Sequence, residues 1–318
     1  MNSLRSCHRV TFFLSFPLVG NLSYEEGLRT SRNDKAKGIY RIRYPTVSAA
    51  GFFIEVISQM NDLVLYAIVF IFGSIVGSFL NVCIYRIPRE KSIIMPSSYC
   101  PSCNTPVKIW DNIPIISYIM LAGRCRACKE NISLRYPVVE AVNAFFYAAV
   151  LWRFGLGWHT LFYFAFVSSL IVITFIDLDF QIIPDSITLP GILIGLIAGS
   201  FLLHDPFFRW ALLGFKASII GAVTGFGLFY LIAVLSRGGM GGGDIKMMAM
   251  VGALMGWKSV LMTTFLGSLF GSVWGIFLMA FKGRGRKSKI PFGPFLAVGA
   301  VITLFAAQEI FYWYLRGR

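Results

Sequence analysis

The sequence predicts an all-α polytopic membrane protein of about eight transmembrane helices, with a small polar insert between helices one and two. Hydrophobic residues make up 56% of the 318 residues and charged residues only 14%, whereas soluble globular chains carry about a quarter charged residues. The mean hydropathy is +0.69, and the apolar residues form long runs between short basic or glycine-rich breaks. This pattern excludes a disordered protein, a secreted disulfide scaffold and an ordinary cytosolic enzyme.

Eight apolar runs account for the predicted helices. A membrane-spanning helix needs about 20 residues, with a range of roughly 17–25. The sixth run has only 13 residues, so it is either a half-buried helix or begins inside the glycine-rich stretch before it. The runs are Leu63–Tyr85, Pro137–Trp152, Thr160–Ile176, Ile187–Leu203, Ala211–Leu235, Ile245–Trp257, Ser259–Phe281 and Phe292–Leu315.

The chain divides into four parts by composition. Residues 1–59 hold only one weak apolar run, and Met60 would itself make a natural protein start, so we expect the extension to be a mis-called start or a disordered tail. Residues 60–86 form the first transmembrane helix and residues 87–136 the insert. Residues 137–318 form a transmembrane core.

The loop cations predict the orientation in the membrane. If the loops alternate sides, the set that contains the insert carries fifteen Lys and Arg, and the opposite set with the C-terminus carries six. Cytoplasmic loops are enriched in Lys and Arg, so the insert is expected in the cytoplasm. Since the basic excess lies in these loops, we expect membrane contacts and no nucleic-acid binding. The basic stretch 282–289 could touch anionic lipid headgroups.

Four cysteines of the insert predict a structural metal site. They form two CxxC pairs with 21 residues between the pairs, and two such turns supply the four thiolates of a tetrahedral zinc site. Two disulfides are the alternative, which a cytoplasmic position disfavours. With four protein ligands no position is left for a catalytic water, so we expect zinc to stabilise the insert. The ligands are Cys100, Cys103, Cys125 and Cys128.

Acidic residues at the ends of two apolar runs are the candidate catalytic residues. Asp177 follows the third run, with Asp179 and Asp185 nearby, and Asp244 ends the stretch GGMGGGD. Carboxylates at membrane depth are costly and tend to mark function. Two carboxylates brought together share a proton, as an aspartic protease requires. The glycines before Asp244 would let the backbone approach a substrate.

These acidic residues also permit other interpretations. An Asp at a helix end is often a capping residue, and a glycine run is often only a turn. A transporter could use Asp177 and Asp244 to carry protons or cations, and a zinc-stabilised structural subunit would need neither. GGMGGGD does not follow a strand, so a Rossmann dinucleotide site is excluded by context. Glu140 is costly in the second helix unless it is paired, and Arg135 is a possible partner.

Several ordered motifs of the chain resemble those of the bacterial type IV prepilin peptidases, which are GxGD-type intramembrane aspartic proteases. The resemblance covers the sequence from about Met60 to the end and includes both cysteine pairs. The other motifs are GSFLNVCIYRIP (77–88), DNIPIISY (111–118), SLRYPVVE (133–140), FIDLDFQIIPDSITLP (175–190), GMGGGDIK (239–246) and IPFGPFLAVGA (290–300).

This resemblance implies a function. Such enzymes remove the basic leader of type IV prepilins and of type II secretion pseudopilins, cutting after a glycine at the cytoplasmic face of the inner membrane. Many then methylate the new N-terminus with S-adenosylmethionine, and the long cysteine-bearing insert is typical of those members. The family motifs place the catalytic aspartates at Asp177 and Asp244. Asp179 competes for the first role, but two residues along a helix differ by about 200° of rotation, so only one can face Asp244.

Overall fold

Helices account for most of the chain in the computed structural model. The structure describes residues 49–95, 98–236, 240–282 and 291–316, with the side chains of residues 49–60 outside this description. A short antiparallel hairpin, β1 (His204–Asp205) and β2 (Phe208–Leu212), interrupts the helices. The helices are α1 (Ala49–Arg86), α2 (Ile116–Met120), α3 (Arg135–Phe154), α4 (Trp158–Phe180), α5 (Asp185–Phe201), α6 (Phe215–Leu235), α7 (Gly242–Lys282) and α8 (Gly293–Arg316).

The lengths and apolar composition of the helices define a membrane protein. Within the described ranges, five helices are long and apolar enough to cross a bilayer: α1, α4, α6, α7 and α8. Helix α5 is apolar but has 17 residues, at the lower limit of a span. Each of the eight predicted apolar runs contributes to a helix. The chain is therefore an all-α polytopic membrane protein, as predicted.

Helix α7 contains two of the predicted runs. It bends at Gly256, whose φ of +80° and ψ of 171° are not helical, and a positive φ is accessible to glycine at little cost. The first half begins at Gly242, inside the glycine-rich stretch. Of the two interpretations of the sixth run, the one in which the helix starts within that stretch is therefore correct. Most side chains of this first half are buried, including Met247, Met248 and Val251, while Lys246 is partly exposed.

Two predictions lie wholly or partly outside the described residues. The expectation of a disordered or mis-called N-terminus concerns residues 1–59, of which residues 1–48 lie outside the described residues, and α1 begins at Ala49 within the extension. Of the predicted lipid-binding stretch, residues 282–289, the structure describes only Lys282.

The fifth run was predicted to start at Ala211, but that residue belongs to β2. Helix α6 begins only at Phe215, because Gly214 with φ of +80° separates strand from helix.

Close backbone contacts between glycines join α6 and α7. A Cβ atom on Gly221 would overlap the carbonyl of Gly252, and one on Gly225 would overlap the carbonyl of Met248. The hydroxyl of Ser218 on α6 donates to the carbonyl of Ala253 at 2.7 Å. In lipid, small residues allow helices to approach closely enough for such packing to hold them together. The contact fixes the first half of α7 in the helix bundle.

A buried polar network joins α1, α3 and α4. Asn143 on α3 donates to the carbonyl of Gly73 on α1 at 2.7 Å and accepts from Ser168 on α4 at 2.9 Å. The ring of Tyr147 stacks on Phe164, with 4.0 Å between the centroids. Since every member of the network has a partner, it specifies the packing of these three helices in an apolar environment.

Candidate active site and metal centre

Asp177 lies in the last turn of α4 and contacts the first residue of α8. Its side chain is buried, with 5% of the residue exposed. One carboxylate oxygen, Oδ2, accepts a hydrogen bond from the backbone N–H of Gly293 at 2.9 Å. The first N–H groups of a helix have no partner within the helix, so the carboxylate satisfies one of these donors. Asp177 is thereby held between α4 and α8.

Asp244 lies in the first turn of α7, facing Asp177. It is 9% exposed, and the two carboxylates are close enough to interact electrostatically. Its backbone N–H donates to the carbonyl of Gly241 at 3.2 Å, so the glycine-rich stretch turns directly into the helix. Two acidic side chains that are 67 positions apart in the sequence, 177 and 244, are therefore brought into one buried site.

Two glycines allow the three helix ends to meet. A Cβ atom on Gly293 would lie 2.7 Å from Oδ2 of Asp177, and one on Gly243 would lie 2.6 Å from Cβ of Ile183. Ile183 is in the loop between α4 and α5 and packs beside both glycines. Any larger residue at either position would push the helix ends apart. Sequence reasoning quoted the motif that contains Gly293 but gave this glycine no role.

Asp179, the competitor for Asp177, points away from this site. The helix continues through Phe180, so the two aspartates lie on different faces. The exposed Asp179 carboxylate accepts from the guanidinium of Arg135 at 2.5 Å. Arg135 also donates to the carbonyl of Phe175 at 3.0 Å. The structure therefore brings Asp177 to Asp244 and ties Asp179 to α3.

The suggested pairing of Arg135 with Glu140 is wrong. Arg135 bonds to Asp179, and Glu140 accepts a hydrogen bond from the backbone N–H of Ile115 at 2.8 Å. The hydroxyl of Ser78 on α1 also bonds to Glu140. Both residues are on α3, but Glu140 lies five positions beyond Arg135 and faces the insert. A sequence pattern does not show which loop covers a helix face.

An ion pair lies beside the two aspartates. Lys246 of α7 donates to the carboxylate of Asp185, the first residue of α5, at 2.6 Å. The sequence did not predict this contact. The pair joins the start of α5 to the start of α7 near the site.

The four cysteines of the insert lie together. All four sulfur atoms lie within 4.8 Å of one another, and Sγ of Cys100 is 3.8 Å from Sγ of Cys128. With zinc–sulfur bonds of about 2.3 Å, the sulfurs of a tetrahedral site are about 3.8 Å apart. The spacing of the thiols and the donor set both fit a metal ion, which these residues can hold.

The two cysteine pairs share one local fold. In each, the N–H of the first cysteine donates to a carbonyl five positions later, at 3.0 Å for Cys100 and 2.8 Å for Cys125. The residue four positions after it has a left-handed conformation, with φ of 56° at Asn104 and 61° at Lys129. Hydrogen bonds from the hydroxyl and backbone of Thr105 lower the pKa of the Cys103 thiol to about 6, whereas burial and the neighbouring thiols raise the pKa of Cys128 to about 12. A lower pKa favours the thiolate that binds metals.

Arg126, beside the second pair, forms an ion pair within the insert. Its guanidinium binds both carboxylate oxygens of Asp111, with the shortest distance 2.6 Å. This hydrogen-bonded ion pair lowers the pKa of Asp111 and joins two parts of the insert.

Comparisons with known proteins give the family. Residues 71–154 match the model of the bacterial peptidase A24 N-terminal domain, and residues 164–276 match that of the type IV leader peptidase family. No solved structure gives a significant match. The chain belongs to the type IV leader peptidase family, and the family predicted from the sequence motifs is confirmed.

Several curated relatives are similar over most of their length. A prepilin leader peptidase/N-methyltransferase from Aeromonas hydrophila is 35% identical over 283 residues, which cover 79% of this chain and 93% of the relative. Proteins of the same name from Neisseria gonorrhoeae and Legionella pneumophila are 35% and 34% identical, covering 90% and 94% of their own lengths. The matched span therefore includes both cysteine pairs and both buried aspartates.

Proposed function

We propose that the chain is a membrane aspartic endopeptidase that removes the basic leader of type IV prepilins and type II secretion pseudopilins. The observation that carries this proposal is the buried pair of Asp177 and Asp244 at the joined ends of α4, α7 and α8. The names of the relatives give the substrate class. Residues 137–318 would form the peptidase core.

The cleavage step follows from the surroundings of the two carboxylates. Since Oδ2 of Asp177 accepts the N–H of Gly293, Asp177 acts as the carboxylate that takes a proton from water. Water oxygen then bonds to the peptide carbonyl carbon, while Asp244 donates its proton to the carbonyl oxygen. When the tetrahedral intermediate collapses, one of its hydroxyl groups returns a proton to Asp244, the C–N bond breaks and Asp177 gives its proton to the leaving amine. The products are the leader acid and a mature chain with a free N-terminus.

The metal site would have a structural role. We assign zinc to Cys100, Cys103, Cys125 and Cys128, because four thiolates suit this ion and leave no position open for water. Zinc bound there would stabilise the fold of the insert, residues 87–136. No step of the cleavage depends on it.

A second reaction would follow cleavage. The relatives are also named N-methyltransferases, and S-adenosylmethionine would supply the methyl group. The donor would supply an electrophilic methyl group to the new terminal amine, and the methylated amine would release a proton to water.

The membrane position follows from the loop charges. The relatives and the apolar helices indicate a multi-pass protein of the bacterial inner membrane. Fifteen cations in one set of loops against six in the other favour the cytoplasmic face for the insert and both aspartates. Prepilin leaders are basic, and they would meet the active site at this face.

The test is the mass of the product. Detergent-purified full-length protein is incubated with a prepilin and S-adenosylmethionine. We expect loss of the leader and gain of one methyl group at the new N-terminus. Loss of the leader alone would remove the methyltransferase activity from the proposal. Intact substrate across several prepilins would overturn the proposed function, and proton flux in vesicles would then favour a transporter.

A further inference from the structure

The carboxylate of α4 that we assign to cleavage lies at a helix end, which is a weak support. Asp177 is in the last turn of α4, which ends at Phe180, and Gln181 follows with φ of 54°. The last four carbonyls of a helix have no partner within it, and here the N–H of Gln181 donates to the carbonyl of Asp177 at 2.9 Å. Helix ends open locally at little cost in free energy. A fixed position of Asp177 therefore needs contacts from other helices.

Arg135, the first residue of α3, makes three contacts with this end of α4. Its guanidinium donates to the carboxylate of Asp179 at 2.5 Å and to the carbonyl of Phe175 at 3.0 Å. It also lies over the ring of Phe175, 4.8 Å from the ring centre, and an aromatic face attracts a cation in this position. These contacts join the start of α3 to the last turns of α4.

The contacts lie on the face of α4 opposite to Asp177. Residues four positions apart, such as Phe175 and Asp179, share one face of a helix. Asp177 lies between them in the sequence and is rotated by about 200° from each. Arg135 therefore holds the turn from the far face, while the N–H of Gly293 donates to the carboxylate of Asp177 at 2.9 Å on the near face.

Arg135 is itself held in place at the start of α3. Its N–H donates to the hydroxyl of Ser133 at 3.3 Å, and the side chain of Asn81 on α1 donates to the carbonyl of Tyr136 at 3.1 Å. Its Nε is buried and has no hydrogen-bond partner among the described residues. A partly desolvated guanidinium interacts more strongly with a carboxylate than a fully hydrated one does. The start of α3 is therefore a firm support for the bond to Asp179.

We propose that Arg135 is a positioning residue for cleavage, which holds the last turn of α4 so that Asp177 stays in place against Asp244. This inference rests on the proposed function, since it concerns the cleavage step. It also gives Asp179 a role, because the aspartate that points away from the site binds the arginine on the far face. A guanidinium suits this role because its planar group can donate to a carboxylate and a carbonyl at once.

A second arginine offers a matched control. Arg209 on β2 donates to the carbonyl of Phe305 at 2.9 Å and to the carboxylate of Glu309 at 3.0 Å, and these two residues are again four positions apart on one helix, α8. The Nε of Arg209 is also buried without a hydrogen-bond partner in the described ranges. Glu309 lies about 24 Å along α8 from Gly293, at 1.5 Å per residue. Loss of Arg209 therefore removes the same kind of contact far from the two aspartates.

Kinetics of purified full-length variants test the role in cleavage. Arg135→Gln loses both hydrogen bonds to α4, and we expect kcat for prepilin cleavage to fall about tenfold, with KM changed by less than about twofold because no contact to substrate is lost. Arg209→Gln should cleave at the wild-type rate. A purely structural role would lower the folded yield and leave kcat per folded molecule unchanged. Equal kcat for Arg135→Gln and wild type, or an equal loss in Arg209→Gln, would overturn the proposal.

A double variant tests whether Arg135 acts through Asp179. Asp179→Ala leaves Arg135 bonded to the carbonyl of Phe175, so we expect its kcat to fall only about threefold. It also tests the same turn if Arg135→Gln folds poorly. If the two residues act through their ion pair, the variant with both changes loses no more than Arg135→Gln alone. Independent effects would multiply to a loss of about thirtyfold, which would overturn the proposal.

Hydrogen exchange keeps the test independent of activity. We expect the amides of residues 177–181 to exchange about tenfold faster in Arg135→Gln than in wild type, and at the wild-type rate in Arg209→Gln. Unchanged exchange at this end of α4 in Arg135→Gln would overturn the proposal. If wild type cleaves no prepilin, the proposed function fails and the positioning role fails with it. If wild type and Arg135→Gln cleave equally well, only the positioning role fails.

Discussion

The site of the two aspartates and the cysteine insert are stabilised in different ways. Around Asp177 and Asp244, helix ends meet through buried side chains and glycine contacts, and most of the first half of α7 is buried. In the described part of the insert, residues 87–95 and 98–136, the regular structure consists of two 3₁₀ turns, the five-residue α2 and two isolated β-bridges, and the cysteines are half-buried or exposed. Small segments without a core need a metal or disulfides for stability. The comparison teaches that packing holds one region, whereas the other brings together four thiols that can hold a metal.

Removal of either aspartate should have the largest effect on activity. Asp177→Ala and Asp244→Ala are expected to lower the prepilin cleavage rate by about a thousandfold or more, because general acid–base groups contribute 10²–10⁴. Asp179→Ala is the matched control and should retain substantial activity, since Asp179 pairs with Arg135 on another face. Initial rates in one detergent preparation provide the measurement. If Asp179→Ala abolished prepilin cleavage while Asp177→Ala stayed active, the catalytic aspartate of α4 would be Asp179 and not Asp177.

Metal removal should separate the two regions. A strong chelator is expected to make the insert sensitive to proteases, because metal binding to such sites contributes about 10–16 kcal/mol to folding. The helical content measured by circular dichroism should change little. Cys125→Ser should lower the folded yield for the same reason.

Zinc added back after chelation supplies the control, and it should restore the protection of the insert. Unchanged proteolysis after complete metal removal would show that the insert is stable on its own. The two regions would then not differ as described.

A single methyl group at Gly293 should disturb the aspartate site. In Gly293→Ala the new Cβ would lie 2.7 Å from Oδ2 of Asp177, so the carboxylate or α8 must shift. A shift of about 1 Å can cost about a hundredfold in rate, and we expect a loss of about ten- to a hundredfold in kcat. Gly227→Ala is the control, because no atom lies within 4 Å of its Cβ position. Equal cleavage rates for the two variants would contradict the close contact between residue 293 and the Asp177 carboxylate.

The smallest effect is expected from the ion pair of the insert. Arg126→Gln removes the partner of Asp111, and an exposed ion pair of this kind contributes little to stability. Because Arg126 lowers the pKa of Asp111, the contribution is fully present above about pH 4, the usual value for Asp, and is lost as the pH falls through the lowered pKa. Thermal unfolding of the insert should show a smaller difference between variant and wild type at pH 3 than at pH 7.

Local patterns in the sequence predicted the helices and the residues of both sites. Apolar runs require helices in a bilayer, two CxxC turns require neighbouring sulfurs, and helical rotation separates Asp177 from Asp179. Contacts between distant segments could not be predicted in this way. The bond from Gly293 to Asp177 and the pairing of Arg135 with Asp179 depend on how whole helices pack. The bend at Gly256 likewise depends on its neighbours, because a glycine inside an apolar run is compatible with a straight helix.

The independence of the two regions can be tested directly with a substrate that needs no cleavage. A peptide with the mature N-terminus of a pilin is given to the Asp177→Ala variant together with S-adenosylmethionine, and its mass is measured. If methyl transfer does not use the two aspartates, the peptide gains one methyl group at the wild-type rate while intact prepilin stays uncut. Loss of methylation together with cleavage in this folded variant would contradict two separate sites.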